Sequence, residues 1–99
     1  MIKHIVLLKL KEGVTSEQTD AVLRGLRGLQ TKLEGIVEVT GGPNNSPEGK
    51  SHGYGWGFAM TFQTEAARDA YLPHPDHKAV SAETIRPIVE DVLVFDYEE

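Results

Sequence analysis

Three side chains in this sequence carry proton-transfer chemistry at spacings that can bring them together: His4, Tyr71 and His77. A histidine can take or give a proton at working pH. Tyr71 comes six residues before His77, and Pro73 and Pro75 break any helix between them, so both side chains can face one surface. With His77 as base and His4 as orienting group, Tyr71 could hydrogen-bond an oxyanion developing on a substrate. Such a constellation suits abstraction of a proton next to a carbonyl. The same residues also have a structural use. A buried histidine normally satisfies its ring nitrogens on backbone or hydroxyl groups, and would here hold the break after Tyr71 in place.

Other chemistries find less support. His74 and His77 flank Asp76, but Pro75 between them disrupts helical ligand spacing, and His52 lies far off in a glycine-rich loop, so no metal site is expected. The stretch Gly41 to Gly53 lacks the lysine-then-hydroxyl ending of a phosphate-cradling loop, and no cofactor is implied. There is no cysteine, hence no disulfide and no thiol nucleophile. The net charge is −5, from 15 acidic and 10 scattered basic residues, which excludes a concentrated basic face for nucleic acid. No apolar run approaches the ~20 residues of a membrane span. The amino terminus reads directly as a strand without a signal-peptide cleavage site, so cytoplasmic residence is the default.

Ninety-nine residues suit one domain, residues 1–99. Ile2 to Leu10 reads as a strand with apolar centres on both faces: His4, Val6 and Leu8 point one way, Ile5 and Leu7 the other. Thr15 with Gln18 fits a capping box, and Val22, Leu26, Leu29 and Leu33 then form a helical stripe. Gly25 and Gly28 inside that helix suggest close approach to the sheet, and Gly35 suits the position that ends it. Ile36 to Thr40 is a short strand, followed by a loop of turn formers to Ser51. Tyr54, Trp56, Phe58, Met60 and Phe62 then alternate with glycine, alanine and threonine, giving one large face to bury under helices and one small face. Thr64 caps a helix through Leu72, a second helical stretch runs from Asp76 to about Thr84, and Val92 to Tyr97 is a last strand, apolar on both sides.

Strand, helix, two strands, helix, strand is a ferredoxin-like βαββαβ unit of α+β class, with two helices on one face of a four-stranded antiparallel sheet. Nothing in the chain remains to cover the other face, which carries Ile5, Leu7 and Phe95. A second copy would cover it, making a homodimeric barrel with Ile5, Leu7 and Phe95 at the interface. Between sheet and helices the pattern predicts a small apolar pocket lined by Leu26, Trp56, Phe58 and Val80 together with His4, Tyr71 and His77.

Several segments resemble the stress-responsive dimeric α/β-barrel domain family: Met1-Ile2-Lys3-His4-Ile5-Val6, Gly41-Gly42-Pro43-Asn44, Ser46-Pro47-Glu48-Gly49, Phe62, Tyr71-Leu72-Pro73-His74-Pro75-Asp76-His77 and Val92-Leu93-Val94-Phe95-Asp96. The resemblance covers essentially the whole chain and implies the same fold and homodimer. One plant branch of that family cyclises linear polyketides without metal or cofactor. By that resemblance His4, Tyr71 and His77 stand where those cyclases carry a pocket histidine, a tyrosine and a catalytic histidine. Trp56 stands in place of their second pocket histidine and Leu26 in place of a pocket tyrosine. Three classes of function follow. The first is a stress-associated domain binding a small apolar or aromatic molecule. The second is a cofactor-independent enzyme, cyclase- or monooxygenase-like, acting on a small carbonyl or aromatic compound with His77 as base. The third is a purely structural dimerisation module.

Overall fold

Two strands with opposite-face alternation sit at the centre of the sheet. In the computed structural model, which describes residues 1–99, β1 (Ile2–Leu10) pairs antiparallel with β3 (Trp56–Phe62). β2 (Ile36–Pro43) flanks β3 and β4 (Val89–Glu98) flanks β1, so the four-stranded order is β2-β3-β1-β4. α1 (Ser16–Leu29) links β1 to β2, and α2 (Glu65–Tyr71) with α3 (Pro75–Val80) links β3 to β4. This is the ferredoxin-like βαββαβ order. No helix is long and apolar enough to cross a membrane.

The alternation decides which residues go inside. Ile2, His4, Val6 and Leu8 of β1 are buried under the helices, as are Trp56, Phe58, Met60 and Phe62 of β3. Val22, Leu26 and Leu29 of α1 close the core from above. Each large side chain buried this way contributes about 1.5–3 kcal/mol. The capping box forms, with the Thr15 side chain accepting from the Gln18 N–H and the Gln18 side chain accepting from the Thr15 N–H. Thr64 caps α2 in the same way through the Ala67 N–H. Gly35 takes φ +86°, as a glycine after a helix should, although α1 itself stops earlier.

Several boundaries differ from the sequence reading. α1 ends at Leu29, so Leu33 packs against the core from the turn beyond it. β2 runs on to Pro43, and β3 starts only at Trp56, because Tyr54 leaves the aromatic row and donates its hydroxyl to Asp91 on β4. Beyond α3 the chain makes a wide π turn over Ser81–Ile85 and a 3-10 turn over Arg86–Ile88 before entering β4 at Val89. Gly25 does permit a close approach, but to α3 rather than the sheet: a Cβ there would lie 2.8 Å from Val80 Cγ1. Gly28 faces open space.

Candidate functional site

Register brings the three sequence-predicted residues together. His4 lies opposite Met60 on one side and Asp96 on the other, on the helix-facing surface of the sheet. Tyr71 ends α2 above it, and the break at Leu72–His74 swings α3 back so that His77 lands on Tyr71. The Tyr71 and His77 rings stack with centroids 4.1 Å apart and planes 29° apart. His4 meets the Tyr71 ring edge-on at 6.1 Å. Phe62 fills the space between, 5.0 Å from Tyr71 and 6.1 Å from His4.

Hydrogen bonds set the state of each ring. Asp96 Oδ1 lies 2.7 Å from His4 Nδ1. A carboxylate only accepts, so His4 Nδ1 carries a proton and donates it to Asp96. The other Asp96 oxygen accepts from Arg68 at 2.8 Å, and Arg68 also reaches Asp69 and Glu65. His77 Nδ1 is 3.0 Å from the Leu72 carbonyl, which again makes Nδ1 the donor and leaves Nε2 as acceptor. Burial holds the His77 pKa below its ordinary value; the Leu72 carbonyl opposes this, and His4 and Lys78 add to it. The ring is therefore neutral at neutral pH, a competent proton acceptor.

Tyr71 differs from its neighbours. Its side chain is 2% exposed, its hydroxyl has no protein partner, and burial pushes its pKa well above the usual tyrosine value. It stays a phenol, with a donor and an acceptor both available.

The remaining predicted residues divide. Leu26 is fully buried and Phe58 nearly so, both packed within the core. Trp56 sits opposite Leu8, four positions along β1 from His4, and stacks obliquely with Phe58 at 6.4 Å. Val80 is the contact that docks α3 on Gly25 of α1. His74 accepts the Asp76 N–H at the start of α3, a structural cap. Ile5 and Leu7 lie on the opposite sheet face and are half-buried, with Phe95 beside them 63% exposed.

Asp96 and Arg68 escaped the sequence reading, though Asp96 follows Val92 and Val94 at the helix-facing alternation of β4. Val92 and Val94 are themselves exposed, because the helices cover β2, β3 and β1 but leave the β4 edge open. They form an apolar shelf leading to Asp96 and His4. A separate cleft of about 470 Å³ touches Tyr71 and His74 between α2 and residues 32–35, but neither His4 nor His77 lines it. A second, of about 690 Å³, lies on the face away from the helices, beside the loop that joins β2 to β3.

Residues 2–99 match the family described as Stress responsive A/B Barrel Domain. The chain is 29% identical to stress-response A/B barrel domain-containing protein HS1 of Arabidopsis thaliana, over 97% of its own length and 87% of that protein's. It is 26% identical to olivetolic acid cyclase of Cannabis sativa, over 97% and 94%. Among solved structures, a dimeric ferredoxin-like protein from Jannaschia sp. CCS1 superposes with a TM-score of 0.79 at 32% identity, over 99% of this chain and 98% of that one.

Proposed function

The chain belongs to the stress-responsive A/B barrel domain family, and from that premise we propose that it binds a small apolar or aromatic molecule bearing an oxygen acceptor or donor. The site lies between sheet and helices, at His4, Tyr71 and His77. One observation carries this reading: the buried Tyr71 hydroxyl has no protein partner. An unmade hydrogen bond of this kind costs about 1–3 kcal/mol, and folded proteins rarely tolerate it without a use. A carbonyl or phenol oxygen would satisfy the hydroxyl, and Nε2 of the stacked His77 ring offers a further acceptor for a ligand hydroxyl. The shelf of Val92 and Val94 supplies apolar surface for the rest of the molecule.

The active unit is a homodimer joined through Ile5, Leu7 and Phe95. The exposure of Phe95 supports this, as does the description of the Jannaschia relative as dimeric. The cytoplasm suits a chain without cysteine, which loses no disulfide under reducing conditions.

A second reading rests on the neutral, oriented His77. With Nδ1–H held by Leu72, Nε2 could abstract a proton next to a carbonyl while Tyr71 donates to the enolate oxygen, with no cofactor or metal. The cyclase named among the relatives makes an enzymatic role reasonable.

Screening aromatic ketones and phenols by ligand-observed NMR tests the binding reading. Hits that lose their signal with Tyr71→Phe support it. Hits that turn over, and stop doing so with His77→Ala, favour catalysis. A screen with no hit at this site leaves a structural dimerisation module.

A further inference from the structure

The cleft of about 470 Å³ runs beside α2, between that helix and the turn that follows α1. Different contacts set its two ends. At one, the Gln63 N–H donates to the Gly35 carbonyl at 2.8 Å, and a Cβ on Gly35 would lie 2.5 Å from the Ala67 Cβ. At the other stand His74 and Lys32, and Lys32 also borders the groove beside Asp76 and Ala79 of α3. The turn therefore runs back along α2, with Gly35 near the start of the helix and Lys32 near its end.

The opening exists because α2 carries alanines there. Ala66 and Ala70 lie one helical turn apart on one face, both exposed, and longer side chains would fill the space. Leu33 supplies the opposite apolar wall. Tyr71 also lines the cleft, 2% exposed and with its hydroxyl unpartnered, and is the residue shared with the site between sheet and helices. Walls held by a backbone hydrogen bond and tight packing are formed before any ligand arrives.

The polar groups divide between the ends. His74 Nδ1 accepts the Asp76 N–H at 3.1 Å, so the ring proton sits on Nε2, free to donate. Lys32 adds a positive charge that no carboxylate of the chain pairs. Glu34, equally unpaired, adjoins Gly35 toward the far end, where it would repel an anion. We propose that the cleft is a second ligand site, which takes a small aromatic carboxylate. Its ring lies between Leu33 and the alanines of α2, and its carboxylate is held by Lys32 and His74. This goes beyond the reading above in both place and charge: a neutral ketone or phenol belongs at His77, an acid here.

Phenylacetate titrated into the wild type under amide-detected NMR tests the site. Shifts should cluster at Leu33, Ala67, Ala70 and His74. Phenylacetamide, the neutral isostere, should bind about threefold more weakly or worse, and Lys32→Gln should lose a similar factor, the modest loss expected of an exposed charge. Ala70→Leu fills the cleft with a good helix former. It should keep its circular dichroism, abolish phenylacetate binding and leave the affinity for 4′-hydroxyacetophenone unchanged. Lys32→Gln, on an exposed turn, carries the test alone if Ala70→Leu loses its fold. Equal affinity for phenylacetate and phenylacetamide, or binding that survives Ala70→Leu, overturns the acid site. So do cleft amides that stay unmoved, or shifts that gather at His4 and His77 instead. None of these results touches the ketone reading, because that ligand is measured separately in the same variants.

Discussion

Asp96 holds His4 across the β1–β4 pairing: the two residues lie directly opposite in register, and the carboxylate accepts the His4 Nδ1–H at 2.7 Å. The contact fixes which nitrogen faces the interior, and Arg68 anchors the carboxylate from α2. One edge strand thus orients a histidine on a central strand.

Removing that acceptor strands a buried donor. Asp96→Ala should lower the unfolding free energy by about 1–3 kcal/mol, read as a lower urea midpoint at unchanged slope. A change within about 0.5 kcal/mol, the range of an ordinary surface substitution, would contradict the assigned role.

The depressed pKa of His77 has a pH signature. In the window just below the ordinary histidine value of about 6.5, the unfolded chain binds a proton that the native His77 does not. Stability therefore rises with pH through this window. The contribution of His77 is fully present above it and is lost as pH falls toward the native pKa. The His77 ring proton should titrate below free histidine by NMR, and His77→Gln should flatten the acid side of the melting-temperature profile. A midpoint at or above the ordinary value would refute it.

Two glycines on one helix should respond in opposite directions. Gly28→Ala adds a methyl to open space and should stabilise by up to about 1 kcal/mol. Gly25→Ala gains the same helix propensity, but its Cβ would sit 2.8 Å from Val80, and overpacking costs about 1–3 kcal/mol. Melting should move up by a few degrees for Gly28→Ala and down for Gly25→Ala. Equal shifts would mean that α3 does not press on α1 at Gly25.

Thr64→Ala tests the helix that carries Tyr71. Loss of the cap to the Ala67 N–H should cost about 1 kcal/mol. Stability unchanged by the substitution would show that α2 is held by packing alone.

Much of this fold is legible in local pattern. Period-two alternation in β1 and β3 decides which side chains go inside, and Thr15, Gln18 and Thr64 announce their helix starts within a few residues. The stripe reaching Leu33 reads as longer helix than exists, because an apolar residue packing from a turn has the same spacing as one on another helical turn. The pairing of Tyr71 with His77 is local too, set by the two prolines. What lay out of reach is what register decides. Trp56 belongs to the far end of β1 from His4, and Asp96 meets His4 from 92 residues away. Tyr54 continues the aromatic alternation by type yet turns out to Asp91.

Titrating the wild type and Tyr71→Phe with one aromatic ketone, 4′-hydroxyacetophenone, under amide-detected NMR tests the central claim most directly. The account predicts wild-type shifts clustered at His4, Tyr71 and His77, affinity at least tenfold weaker in Tyr71→Phe, and a variant at least as stable as the wild type, since it loses a buried unpaired hydroxyl. Equal affinity in the two proteins, or shifts confined to the cleft beside residues 32–35, would contradict it.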